Sequence, residues 1–365
     1  MPTLDEEAGI AECIRRATAA FREMGVSAEI VVADSSTDRT PEIAREMGAI
    51  VVEPDEPGYG YAYRYAFERA RGDVIAMGDA DTTYDFTELP KLFEHVVEGD
   101  ADVAMGSRLD GEIRDGAMPP LHQHVGNPLL TRFLNAFYDA GVSDAHSGMR
   151  VFTREAWEEM ECDTDGMEFA SEMIMEAGAR DLDIAEVPIT YHEREGEATL
   201  DSFSDGWRHV KFMLLNAPGY LFSAPGIALG LVGAALIAVV ALDVSVASAS
   251  FGIRTLIAGS LLAITGVQVA SFGVFATVAS DPVRRPTDPV TGLLTDRLSL
   301  ESGATLGLAT AAAGGAYAAW AVLRWAATGF TALPPISTSL LAFTAVVVGL
   351  QVAFGSFLLA ALGSE

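Results

Sequence analysis

The fold class that the sequence predicts is α/β with a mostly parallel sheet, followed by an interfacial helix and four transmembrane α-helices. Three observations predict it. Over the first 200 residues, short apolar runs of strand length alternate with helical stretches, the pattern of a sheet covered on both faces. Residues 201–222 carry one amphipathic helix. From about residue 224, four Gly/Ala-rich apolar stretches follow with few charges, each able to cross a hydrocarbon core of ~30 Å.

The elements follow in order. Ile10, Ile14, Ala17, Phe21 and Met24 recur at helical spacing and put one face on a core. Residues 28–33 read as a strand, Asp34 to Asp38 as a turn, and Pro41 as the first turn of a helix. Ile50-Val51-Val52 is a strand, Tyr59 to Arg71 a helix, and Val74–Met77 and Ala101–Met105 two further strands. Pro2 to Glu7 looks like a loop that should follow a strand, yet only Met1 precedes it. Either the start is misassigned or the edge of this sheet is incomplete. In the 201–222 segment, Phe203, Trp207, Val210 and Leu214 share a helical face while Arg208, His209 and Lys211 lie off it, as in a helix lying on a membrane surface. Pro218 and Pro225 break the chain before the spans, expected at 226–247, 253–279, 304–326 and 337–362, with Asp243 marking an interface. Arg284, Arg285 and Arg297 between the second and third spans make that loop cytoplasmic, and with it the first domain.

Charge narrows the function. The chain carries 51 acidic and 23 basic residues, a net charge of -28, and 45 and 18 of these fall within the first 220 residues. A nucleic-acid surface is excluded, because phosphate backbones need a basic face. Only Lys91 and Lys211 occur, and an acidic, lysine-poor surface fits a high-salt cytoplasm, hence a halophilic source. Cys13 and Cys162 are too few for a disulfide framework and fit a reducing compartment. The acidic N-terminus does not read as a cleavable signal peptide.

Asp79-Ala80-Asp81 directly follows the Val74–Met77 strand. Carboxylates at i and i+2 share one face at a strand end, where ligands of parallel sheets bind. Two hard oxygen donors there suit a divalent cation completed by water and phosphate. The plainer reading is a solvated loop pair in an acidic chain. Asp34, also at a strand end, favours the first.

The motifs resemble those of family 2 glycosyltransferases, specifically the polyprenyl-phosphate (dolichol-phosphate) hexose synthases. Pro2-Thr3-Leu4-Asp5-Glu6-Glu7 is similar to their P-x-x-N-E-E, and Val32 to Thr40 to their D-D-G-S-T-D-G-T segment. Gly58-Tyr59-Gly60, Asp79-Ala80-Asp81, Gly106-Ser107-Arg108, Gly126-Asn127, Asp144 to Arg150, and Glu186-Val187-Pro188-Ile189 with Arg194-Glu195-Gly196-Glu197 follow in the family's order. The resemblance covers residues 1 to about 222. It departs at Ala33, Ser35 and Arg39, at Ala198-Thr199-Leu200 where a lysine is usual, and at His122 and His124 where relatives carry basic residues. Thr82 and Thr83 stand where some members supply a further polar metal ligand.

The resemblance implies a GT-A (Rossmann-like) nucleotide-sugar domain over residues 1–200. It also implies inverting transfer of a hexose from a UDP- or GDP-sugar to polyprenyl or dolichyl phosphate at the cytoplasmic face of the lipid bilayer. Asp79 and Asp81 would hold Mg²⁺ or Mn²⁺, with Asp81, Arg108 and Asp144 catalytic. Pro2, Leu4, Glu6, Asp34 and Asp79 would line the donor nucleotide site, helix capping being the rival for Glu6 and Asp38. Arg108, Ser147, Arg150 and Arg194 would meet phosphates and acceptor, with surface ion pairing the rival for the arginines. His146 reads as a hydrogen-bonding loop residue, and Glu172 as a candidate for sugar hydroxyls. Association with a second copy is left open. Two rival functions are a processive membrane polysaccharide synthase, whose Arg-Trp helix is not apparent, and a non-catalytic nucleotide-sugar-binding membrane scaffold.

Overall fold

The computed structural model describes residues 1–138, 140–195, 202–246, 249–279 and 300–362, and the chain divides into two units, Met1–Met213 and the part from Leu214 onward. Ala198-Thr199-Leu200, Glu197 and the loop carrying Arg284, Arg285 and Arg297 lie outside the described residues.

In the first unit, β1 (Pro2–Thr3), β2 (Val31–Asp34) and β3 (Ile50–Val52) form a parallel sheet in the order β1-β2-β3. β4 (Val74–Met77), β5 (Val103–Ile113), β6 (Arg150–Thr153) and β7 (Ile184–Tyr191) form a second sheet in the order β4-β6-β5-β7. β5 and β7 are parallel, but β6 runs antiparallel to both its neighbours. The reason is local. The loop before β6 sits at the carboxyl ends of β4 and β5, so the chain enters β6 from that end and must run back.

Helices cover the sheets as the apolar spacing requires. α1 (Ile10–Met24) buries Ile10, Cys13, Ile14, Ala17 and Ala20, and Gly25 closes it in the left-handed conformation at φ 66°. α2 (Thr40–Glu46) has Pro41 in its first turn. α3 (Tyr59–Phe67) is shorter than the apolar pattern suggests. α4 (Leu89–Glu98), α5 (Asn127–Tyr138), α6 (Arg154–Met160) and α7 (Phe169–Ala179) complete the layers. β1 is only two residues long. Just before it, the Met1 carbonyl accepts from the Ala33 amide at 2.9 Å.

α8 (Ser202–Leu215) buries Met213 against Leu134, Tyr138 and Ile174, with Phe212 beside them. His209 turns the same way, toward Ser171, rather than lying with Arg208 and Lys211 as its spacing suggests. Trp207, Arg208, Lys211 and Leu215 form the exposed face. The half-exposed Val210 and Leu214 lie between these faces, so the helix packs on its own domain while a Trp and two cations stay outside.

In the second unit, α9 (Ala224–Ala241, continued backward by the π-turn Gly219–Ser223), α10 (Ile253–Ala279), α11 (Leu300–Ala327) and α12 (Ile336–Leu362) are long and apolar enough to cross a membrane. α9 ends earlier than expected, because the chain turns at Leu242 and Asp243, the latter at φ 51°. Small residues let the helices approach in pairs. A Cβ on Gly226 would stand 2.7 Å from the Ala270 Cα, and one on Gly307 2.9 Å from the Ala353 Cα.

Candidate active site

Asp34 and the Asp79/Asp81 pair stand at the carboxyl ends of β2 and β4, while Arg108 lies midway along β5. On β2, Asp34 is buried, and its Oδ1 accepts from the hydroxyls of Thr3 at 2.7 Å and Ser36 at 2.6 Å. Pro2 pairs with Ala33 in the neighbouring strand, and Leu4 is exposed at 57%. Asp5, in place of the resembled asparagine, accepts from the backbone of Thr37 and Asp38 and so fixes the turn after β2. Asp38 accepts from the Thr40 amide at 2.9 Å in an Asx turn that leads into α2, whose N-cap is Arg39.

After β4, Asp79 and Asp81 are each held through a single oxygen. Oδ1 of Asp79 accepts from the hydroxyls of Tyr59 (2.8 Å) and Tyr63 (3.1 Å). Oδ1 of Asp81 accepts from the amide (3.1 Å) and hydroxyl (2.6 Å) of Thr83. Beyond β7, the Glu195 amide bonds to the Asp81 carbonyl at 3.2 Å and brings Arg194 over the pair. There Arg194 pairs with Glu6 and lies 3.6 Å from Oδ2 of Asp81. Glu6 therefore belongs to the carboxylate cluster and is not a side-chain helix cap. Burial, with Asp81 and Asp79 nearby, outweighs Arg194 and pushes Glu6 up to about 7. Burial and Asp81 push Asp79 up to about 6 against its two phenol bonds.

A second cluster stands on β5 and the loop before β6. Asp144 is fully buried and grips Arg108 through Nε (2.7 Å), Nη2 (2.8 Å) and the backbone amide (3.0 Å). Burial pushes Asp144 up, but the guanidinium prevails and holds it below the usual carboxylate range. The fork leaves Nη1 of Arg108 outside the pair. Glu186 on β7 accepts from the amides of Ser143 (2.6 Å) and Asp144 (3.0 Å) and so fixes the loop. Ser147 is buried with no partner for its hydroxyl among the described residues. The Gly148 amide donates to the Tyr84 hydroxyl at 2.6 Å.

Three sequence expectations need correction. Arg150 is wholly buried and donates to the carbonyls of Ser147, Ala145 and Ala170, so it pins the loop from beneath and presents no face to a phosphate. Glu172 is buried and accepts from the amides of Asp163 (3.2 Å) and Thr164 (3.0 Å), which removes it from any sugar. His146 makes no hydrogen bond through either ring nitrogen among the described residues. It meets His209 edge-on at 4.9 Å, and burial pushes it down to about 3. Tyr59, Tyr63 and Glu186 are site residues that sequence reasoning missed. The one signal for the tyrosines was their i, i+4 spacing directly before the Asp79 strand.

Residues 1–160 match the model of glycosyl transferase family 2, and residues 274–363 match the glycosyltransferase family 2 C-terminal transmembrane region. The chain is 64% identical over its whole length to the low-salt glycan biosynthesis hexosyltransferase Agl6 of Haloferax volcanii, 88% of which it covers. The chain belongs to glycosyl transferase family 2. This glycosyltransferase is also 40% identical over 49% of its length to a dolichyl-phosphate hexose transferase of the same organism, covering 76% of that protein. A crystal structure of mannosyl-3-phosphoglycerate synthase from Rubrobacter xylanophilus matches 58% of this chain and 70% of its own at 20% identity and a TM-score of 0.49, too loosely to bear on the site. With its transmembrane region, the enzyme is a multi-pass membrane glycosyltransferase.

The donor set fits a hard divalent cation. Glu6 and Asp81 share the cation of Arg194, and Asp79 lies near enough to push Glu6 up with Asp81, an excess of negative charge that burial makes costly. No group of three or more His, Cys, Asp or Glu side chains placed to hold a metal occurs among the described residues. Two carboxylates with open coordination positions suit an ion completed by water and substrate phosphates.

Proposed function

We propose that the enzyme transfers a hexose, with inversion, from a nucleoside-diphosphate sugar to a polyprenyl phosphate of the dolichyl type at the cytoplasmic membrane face, supplying lipid-linked sugar for glycan assembly. The observation that carries this reading is the under-neutralised carboxylate pair Asp79/Asp81 at the strand ends of a family 2 domain joined to four apolar helices. The name of the 40% identical relative supports dolichyl phosphate as acceptor.

Asp34 and Glu6, with Pro2 and Leu4 at the rim, face the nucleoside, and Asp79 and Asp81 hold Mg²⁺ or Mn²⁺. When bound, the ion supplies Lewis acidity against the charge developing on the departing diphosphate. Arg194 is the side chain that trades carboxylates for diphosphate oxygens. The lipid phosphate, with a second pKa of about 6, is nucleophilic without a strong base. Its oxygens meet Nη1 of Arg108, which Asp144 keeps oriented and charged. Ser147 offers its unpartnered hydroxyl in the same loop. The exposed Trp207, Arg208 and Lys211 face suits headgroup depth, where such a lipid presents its phosphate.

The test is incubation of membranes containing the enzyme, in high salt with Mg²⁺ or Mn²⁺, with dolichyl phosphate and a panel of labelled UDP- and GDP-hexoses. Label should enter the lipid phase from one donor and only with added lipid phosphate. Metal-dependent donor binding with no transfer from any donor would point to a scaffold and overturn the proposal.

A further inference from the structure

The phenols behind Asp79 have no part in the transfer described above, yet both are spent on one oxygen atom. Tyr59 and Tyr63 stand one turn apart on α3 and donate to Oδ1 of Asp79 at 2.8 and 3.1 Å. Neither ring is free to leave. Tyr63 is wholly buried, stacks on Phe169 at 5.8 Å and meets Tyr59 edge-on at 5.0 Å. The start of α3 is itself tied down, since the amides of Gly60 and Tyr61 bond to the Asp165 carbonyl at 2.9 and 3.2 Å.

A carboxylate oxygen offers two lone pairs, so two donors saturate Oδ1. Oδ2 remains, beside Gly148, where a Cβ would stand only 2.9 Å away. Asp81 is treated the same way. Its Oδ1 takes two bonds from Thr83, and its Oδ2 faces Arg194. Each carboxylate therefore presents one oxygen to an incoming cation. A pair of one-oxygen ligands suits a small ion that demands octahedral geometry and keeps its waters. Ca²⁺ prefers more oxygens and commonly takes both atoms of a carboxylate.

Resting on the metal reading above, we infer that Tyr59 and Tyr63 are positioning residues that make the Asp79/Asp81 site selective for Mg²⁺ or Mn²⁺ over Ca²⁺, by denying Asp79 a two-oxygen grip. Thr83 does the same for Asp81, but its backbone amide cannot be removed by substitution, so the tyrosines are where the idea is tested.

The experiment uses purified full-length enzyme in detergent and high salt, with bound Mn²⁺ read by its paramagnetic resonance and displaced by Mg²⁺ or Ca²⁺. In the wild type, Ca²⁺ should displace Mn²⁺ at least ~10-fold less effectively than Mg²⁺. In Y59F/Y63F the Ca²⁺/Mg²⁺ ratio should move roughly 10-fold toward Ca²⁺, because Oδ1 becomes available. Y59F alone removes one donor at the half-exposed end of the pair, leaves the Tyr63 core intact and should shift the ratio part of the way. It decides the matter if the double variant does not fold. Mn²⁺ binding with a ratio unchanged within about twofold would overturn the selectivity role while leaving the metal reading in place. A wild-type enzyme that binds no Mn²⁺, with or without nucleotide, would overturn both.

Discussion

Removing the Asp144 carboxylate should markedly lower the stability of the first unit. Asp144 has no exposed surface, and the Arg108 side chain it grips is only 8% exposed. Asp144→Ala deletes two charge-assisted bonds and the one to the Arg108 amide, and leaves a guanidinium with no carboxylate beside it in a buried site. The Tyr191 ring already lies 5.2 Å from that guanidinium in the intact enzyme, so this contact does not replace the lost carboxylate. Breaking a buried pair from one side costs about 3–5 kcal/mol. For a unit of this size that corresponds to a fall of roughly 6–20 °C in Tm. The assay is thermal unfolding of detergent-solubilised enzyme in high salt, comparing Asp144→Ala, Arg108→Met and the double variant Arg108→Met/Asp144→Leu. The double variant removes both charges and fills the space, so it should be more stable than Asp144→Ala alone. An Asp144→Ala cost under about 1 kcal/mol, or a double variant no more stable than Asp144→Ala alone, would refute the buried pair as described.

Other outcomes follow from the same geometry. Gly148→Ala would press a methyl against Oδ2 of Asp79 and the Tyr84 hydroxyl, at 2.9 and 3.3 Å, so Mn²⁺ binding should weaken by about tenfold or more while folding is largely kept. Arg150→Met should lower stability and kcat but leave the apparent KM for lipid phosphate within about twofold, since Arg150 touches only carbonyls; a selective rise in that KM would restore it as a phosphate ligand. Glu6, raised from 4.5 to about 7, and Asp79, raised to about 6, hold protons in the folded state that the unfolded chain has released. Metal-free enzyme should therefore lose stability as pH rises through these values, and added Mg²⁺ should recover more at pH about 8 than at pH about 5. Thermal midpoints in chelator and in Mg²⁺ across that range check this, and a midpoint in chelator that rises with pH would contradict it.

Much of this was legible in the residues. The stripe from Ile10 through Ala17 is the buried face of α1, and Asp79 and Asp81 follow a strand as their pattern implies. Periodicity reports faces, however, not what covers them. Arg150 opens a strand that runs against its neighbours and lies beneath the loop that precedes it, and only that topology reveals its burial. Glu172 sits on α7, buried on every side, where helical spacing no longer separates a core face from a site face. Partners distant in sequence were equally hidden. Glu186 finds Ser143 and Asp144 across two elements, and Arg194 finds Glu6 from the other end of the unit. The short α9 was misjudged because apolar residues continue past Asp243 after the helix itself has turned away.

The most direct test of the central claim uses enzyme reconstituted in liposomes containing dolichyl phosphate, stripped with chelator and then given Mg²⁺ or Mn²⁺ and the active nucleotide sugar. Mass spectrometry of the lipid phase reads the product. Hexosyl phosphodolichol should form only after the metal is restored, and Asp81→Ala, folded as judged by its thermal midpoint, should form almost none. Product formed equally in chelator, or by Asp81→Ala at ordinary donor concentrations, would contradict the account.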